Sequence, residues 1–224
     1  MIFPAMNLFS QLALAPTHEE LFPGAVLMRG LAASQDIELL AAIRALEATA
    51  PFRHVTTPSG LPMMIVSTAC GARNRLYENS GFRYTGPQPA APFPQPFNAR
   101  PPMPEVFYEL AIRSARLAGF ERFRPDAGLV NRYQAGVKLG LHQDRHECDL
   151  TQPIVSVSLG LPATFLLGGL LRTDPTRRIL LEHGDVLVWG GPSRMRFHGV
   201  LPLKPGNDPL TGPYRYNLTF RKVT

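Results

Sequence analysis

His142 and Asp144 in the run Leu-His-Gln-Asp, and His198 in Arg-Phe-His-Gly, supply two imidazoles and one carboxylate. Such a set can occupy one face of a metal and leave the opposite face open, the arrangement that non-haem Fe(II) oxygenases use. On a strand, residues i and i+2 project to the same side, so His142 and Asp144 can point together into a barrel mouth. The third ligand must come from elsewhere, and His198 on a later predicted strand is the natural candidate. His146 and His183 compete for that place. His146 has the i+4 spacing of a helical pair, but its surroundings are not helical. His183 lies in a His-Gly-Asp turn and reads as structural. From these residues alone Asp144 can equally cap a turn, and the same ligands also suit zinc in a hydrolase.

A second group lies at the C-terminal end. Residues 214–221 alternate, with Arg215, Asn217, Thr219 and Arg221 on one face and Tyr214, Tyr216, Leu218 and Phe220 on the other. An ordinary half-exposed strand would show the same pattern. A pocket for a small dicarboxylate would also use it, because the guanidinium fork matches a carboxylate in two parallel hydrogen bonds. The same alternation places Asn131 and Tyr133 on one face of the strand preceding His142.

The elements that must position these residues follow from pattern. From Pro125 onward short β-type segments succeed one another without helices, at 128–133, 137–144, 154–159, 164–167, 178–182, 186–189, 197–201 and 214–221. Gly- and Pro-rich turns divide them, which predicts a double-sheet jelly roll or barrel. Before Pro125, residues 25–28 read as a strand. Ser34 is the expected N-cap of a helix to about residue 48, with Ile37, Leu40, Ile43 or Arg44, and Leu46 as its stripe. A second helix is expected from near Pro104 to Gly119. Residues 85–104 are dense in proline and predict a semi-rigid loop, either a lid or a plain connection.

Composition narrows the class. The 224 residues suffice for one domain, and the 45% hydrophobic and 18% charged fractions fit a globular chain. No apolar run is long enough to span a bilayer. The start lacks a basic segment before its apolar stretch, so no secretory signal is expected. Two cysteines, Cys70 and Cys148, suggest no disulfide framework and a reducing compartment, with a cytoplasmic location expected. The net charge of +6 favours an anionic partner, nucleic acid first.

Several longer runs carry a resemblance. Asn131-Arg-Tyr133, Leu139-Gly-Leu-His142-Gln-Asp144, the run 154–161, the run 181–191, His198-Gly and Arg215-Tyr-Asn-Leu-Thr-Phe-Arg221 resemble the AlkB family. These are Fe(II)/2-oxoglutarate dioxygenases that repair alkylated nucleobases. The likeness is near-continuous from about residue 123 to 221 and weaker at 51–53 and 70–71. It implies a mainly β fold with flanking helices (α+β). Its core would be a double-stranded β-helix over about 123–224, with helices and a nucleotide-recognition lid over about 1–122, together one domain. It further implies that His142, Asp144 and His198 bind Fe(II), and that Arg215 pairs with the distal carboxylate of 2-oxoglutarate. Asn131, Tyr133, Asn217 and Arg221 would complete the cosubstrate site, with O2 as the other cosubstrate and Arg172 facing the substrate strand.

The chain departs from the family on the substrate side. A Trp often follows the lid Cys-Gly, but here residues 70–77 contain none, and Arg75 is the nearest equivalent by spacing. Phe82 and Tyr84 would stack on a base or contact the strand, or else pack within the lid. Two positions after the ligand Asp the family commonly has an acid, where this chain has His146, which can donate or accept.

The resulting expectation is an oxidative demethylase of N-alkylated bases in DNA, with RNA left open. Its bases must be single-stranded or flipped out to be reached. The same iron chemistry on a tRNA base, a protein side chain or a metabolite is the alternative. A non-catalytic nucleic-acid-binding module is a third reading, from a different class. A monomer without membrane attachment is expected.

Overall fold

The computed structural model describes residues 17–56, 62–72, 83–85, 100–145 and 147–224. Its strands are β1 (His18–Phe22), β2 (Ala25–Met28), β3 (Arg53–Thr56), β4 (Pro62–Gly71), β5 (Arg83–Thr85), β6 (Ala127–Tyr133) and β7 (Leu139–His142). They continue as β8 (Ile154–Gly160), β9 (Ala163–Leu167), β10 (Arg177–Leu181), β11 (Val186–Trp189), β12 (His198–Val200) and β13 (Arg215–Arg221). Helices α1 (Asp36–Thr49) and α2 (Glu105–Leu117) complete the framework.

A nine-stranded sheet runs β1-β2-β11-β8-β13-β6-β4-β3-β5, and a four-stranded sheet runs β10-β9-β12-β7. Neighbouring strands pair antiparallel, as a jelly roll requires. The large sheet is covered on both faces, which explains why all seven residues of β8 and all four of β11 are buried. Leu39, Leu40, Ile43 and Leu46 of α1 and Phe107 and Leu110 of α2 join Val130, Val155, Val157, Val186, Val188, Leu218 and Phe220 in one core. On the other face Leu187, Trp189 and Ile154 pack against Phe165, Leu167 and Val200 of the small sheet. Period-two alternation assigns each strand residue to one layer or the other.

Three expectations need correction. Ser34 lies in a short 3-10 turn, Ala33–Gln35, and α1 starts at Asp36 with no side-chain cap. Ile37 is exposed while Leu39 is buried, so the stripe runs 39, 40, 43 and 46. The strand predicted over 137–144 ends at His142, and Asp144 follows it in irregular backbone. Strands β1, β3, β4 and β5 were not expected, and they extend the large sheet on both of its flanks. Of the 85–104 loop, residues 86–99 fall outside the described residues.

Two glycines permit close approaches. A side chain at Gly199 would meet the Leu139 carbonyl oxygen at 2.7 Å, so its absence lets β12 lie tightly against β7. Gly160 has φ +83° and turns the chain from β8 into β9, a conformation L side chains rarely adopt.

Cys70 on β4 is buried with its thiol toward the Gly128 carbonyl oxygen at 3.7 Å, whereas Cys148 is exposed. Burial, opposed by the charge of Arg100, pushes the Cys70 thiol from 9.0 up to about 12. The raised value means Cys70 favours folding fully below pH 9 and loses that contribution as pH rises toward 12. A disulfide reagent such as DTNB at pH 8 should therefore label Cys148 alone in native protein, and both thiols in denaturant.

Candidate metal and cosubstrate site

The two histidines are brought together by strand pairing. His198 lies directly opposite His142 in the β12–β7 register, with ring centroids 4.3 Å apart. Each ring is turned the same way. His142 Nδ1 lies 2.9 Å from the Gly140 carbonyl oxygen and His198 Nδ1 lies 3.1 Å from that of Arg196. With the proton held at Nδ1, each Nε2 lone pair is left to face inward, as metal-bound imidazoles require.

Those Nε2 atoms look onto one carboxylate. Asp144 lies 3.8 Å from His142 Nε2 and 3.7 Å from His198 Nε2. One ligand atom from each of the three falls within 4.8 Å of the others, close enough to share a metal ion. Burial opposes ionisation of Asp144, but Arg221, 2.6 Å away, and both imidazoles outweigh it and hold the carboxyl well below the ordinary range. Burial, reinforced by the charge of His198, lowers His142 below its usual value. Both shifts favour the protonation states that ligate: an anionic carboxylate and a neutral ring.

The triad opens into a cavity of about 540 Å³ between the sheets. Its far wall is the inner face of β4, β6, β13 and β8. The register aligns Ser67, Asn131, Asn217 and Ser158 in one row across these strands, and Tyr133 and Arg215 in the next. Arg215 is 1% exposed, and Nη2 donates to Ser158 Oγ at 2.9 Å. Its Nε and Nη1, like Tyr133 Oη, are buried with no hydrogen-bond partner among the described residues. Burial pulls Arg215 down to about 10, still charged at neutral pH, and pushes Tyr133 up to about 12, still a neutral donor.

Leaving buried donors unsatisfied costs about 1–3 kcal/mol each. A cationic fork beside a phenol, both aimed into a cavity, therefore fits a carboxylate ligand. The distal carboxylate of 2-oxoglutarate matches that demand, while the triad supplies the donor set for Fe(II). Ser67 Oγ donates to Asn131 Oδ1 at 2.6 Å, which leaves the Asn131 amide N–H groups to face the cavity. Asn217 is more committed, since its amide donates to Ser156 Oγ and the Val157 carbonyl while Thr219 donates to its Oδ1.

The expected substrate-side residues separate. Arg172 stands at the cavity rim, donating to the Leu141 carbonyl oxygen at 2.8 Å. Tyr84 sits on β5 opposite Val55. Arg75, Phe82 and His146 lie outside the described residues. His183 is structural: Nδ1 accepts from the Gly160 N–H, and Nε2 lies 3.2 Å from Asp36.

Sequence reading missed Ser67, Ser156, Ser158, Glu147 and Arg194. The two β8 serines had a signal, because they alternate within an otherwise apolar run. Glu147 is buried between Arg194 Nη2 at 3.1 Å and Arg221 Nε at 3.4 Å, a contact no local pattern announces.

Arg215→Lys keeps the charge but loses the fork. It should weaken 2-oxoglutarate binding about tenfold or more. Fluorescence of Trp189, the chain's one tryptophan and part of the cavity wall, provides the titration signal.

Comparison with known proteins agrees with this geometry. The family model described as the 2OG-Fe(II) oxygenase superfamily matches residues 24–221. The alpha-ketoglutarate-dependent dioxygenase AlkB of Escherichia coli K12 is 48% identical over 210 residues, covering 93% of this chain and 94% of the relative. The human nucleic acid dioxygenase ALKBH1 is 38% identical over 107 residues, covering 48% of this chain and 28% of the relative. The solved structure of OsALKBH1 superposes with a TM-score of 0.71 at 30% identity, covering 92% of this chain and 100% of that one. With sequence, fold and donor set in agreement, the chain belongs to the 2OG-Fe(II) oxygenase superfamily and, within it, to the AlkB family of Fe(II)/2-oxoglutarate-dependent dioxygenases.

Proposed function

We propose that this enzyme removes alkyl groups from nucleobase nitrogens in DNA, and in RNA where the strand can enter. The observation that carries the reading is the pairing of the His142–Asp144–His198 cluster with Arg215 and its unsatisfied donors on one cavity wall. The likeness to AlkB and to a nucleic acid dioxygenase supports the choice of substrate, as does the net charge of +6.

When bound, the metal and cosubstrate supply the oxidising chemistry. One oxygen atom of O2 would enter the N-linked methyl group, and the other would enter succinate as 2-oxoglutarate loses CO2. The resulting N-hydroxymethyl group would then lose its hydroxyl proton as its C–N bond breaks, releasing formaldehyde and returning the electron pair to the ring nitrogen of the unmodified base. The protein's task is placement and exclusion. His142, Asp144 and His198 would hold the metal. Arg215 and Tyr133 would fix the distal carboxylate, and Asn131, Asn217 and Arg221 line the cavity between them and Asp144. Arg172 at the rim is placed to meet a phosphate or base edge of the incoming strand. Stacked bases cannot enter a cavity between two sheets, so the substrate base is single-stranded or flipped out.

Oligonucleotides carrying 1-methyladenine or 3-methylcytosine should yield formaldehyde and succinate in equal amounts, dependent on Fe(II) and abolished by chelation. His142→Ala and Asp144→Ala should each lower both products at least about 100-fold. Turnover stimulated by a free metabolite but not by methylated oligonucleotides would overturn the substrate assignment. His146→Asp should alter the ranking among methylated bases more than it alters metal affinity; an unchanged ranking would remove His146 from base recognition.

A further inference from the structure

Four residues before His198, at the end of the short helical turn Gly191–Ser193, stands a guanidinium that no motif assigns. Arg194 is 3% exposed and spends its donors on a single segment of chain, the one that follows Asp144. Nη1 donates to the Asp144 carbonyl oxygen at 2.6 Å, Nε to the Gln152 carbonyl oxygen at 2.9 Å, and Nη2 to Glu147 Oε2 at 3.1 Å. The other oxygen of Glu147 lies 3.4 Å from Arg221 Nε, and Arg221 Nη2 binds the Asp144 side chain at 2.6 Å. The contacts form a closed ring: Arg194, Glu147, Arg221 and Asp144 grip one another through both the backbone and the side chain of Asp144. A separate bond reinforces it, since Gln143 donates to the Met195 carbonyl oxygen at 2.6 Å.

We infer that Arg194 is a positioning residue of the metal site, tying the Asp144 segment to the His198 segment so that carboxylate and imidazole meet at a set distance. This rests on the metal-site reading above. Asp144 needs such a tie because it lies past the end of β7, where no ladder hydrogen bonds hold it. His142 and His198 are placed by the sheet; Asp144 is placed by side chains. Stability alone does not account for the arrangement, because the mutual attraction of a buried ion pair barely offsets its desolvation. Lysine would still neutralise Glu147, but a point charge cannot span the Asp144 and Gln152 carbonyls and the Glu147 carboxylate as the fork does.

Co(II), which replaces Fe(II) without oxygen chemistry, can be titrated against Trp189 fluorescence, because that indole packs edge-on 5.0 Å from the His198 ring. Its visible absorption reports ligand geometry. Wild-type protein should bind Co(II) and His142→Ala should not. Arg194→Lys should bind about tenfold or more weakly, in the range typical for partners that orient metal ligands, with an altered visible band. Ile43→Ala, in the helix-side core, serves as a control for general destabilisation; it should melt at lower temperature yet bind Co(II) as wild type does. The inference is overturned if Arg194→Lys binds within twofold of wild type, or if Ile43→Ala loses as much affinity as Arg194→Lys. Wild-type affinity in His142→Ala would instead overturn the metal site on which the inference stands.

Discussion

Everything in this molecule hangs on the two-residue alternation of β13 at the centre of the large sheet. Leu218 and Phe220 point into the helix-side core, while Arg215, Asn217, Thr219 and Arg221 point into the cavity. The strand is paired along its length with β6 on one side and β8 on the other. A register slip of one residue would send two arginines into an apolar core and two hydrophobes into the cavity. Packing on one face thus enforces the register of the chemistry on the other. The energy that selects it is hydrophobic, and the site inherits its precision.

The cavity also carries an electrostatic burden. Arg215 is buried with Nε and Nη1 lacking a hydrogen-bond partner among the described residues, and Arg194, Arg221, Asp144 and Glu147 share a buried network. Uncompensated donors cost stability, and the fold tolerates the cost because helices cover the sheet's other face with a continuous apolar layer. The same imbalance prepares the pocket for a dianion. Serines at 67, 156 and 158 meet part of each polar group's demand and leave the remainder facing inward.

Much of this was legible in residue order. The core strands from β6 onward announce themselves by alternation and by Gly- and Pro-rich turns, and strand β11 falls where its pattern places it. The N-terminal strands did not. Strand β1 carries His and Glu residues and sits at a sheet edge, so it reads as a loop. Strand β4 is covered on both faces over Ile65–Cys70, which erases the polar alternation that marks a half-exposed strand. In α1, Ser34 looked like a cap because the 3-10 turn that displaces the helix start has no strong sequence signature.

Residue order alone established the kind of ligands, their sequence and the faces they occupy, because those follow from local strand geometry and side-chain chemistry. It could not establish how Asp144 is aimed. That residue lies beyond its strand, and its orientation comes from Arg221, Arg194 and Glu147, which are brought to it across the fold. Nor could it reveal that Arg215 and Tyr133 are buried side by side on the cavity wall. Local pattern predicts which way a side chain points; what it meets there depends on elements 50 or more residues away, as Arg194 and Asp144 are.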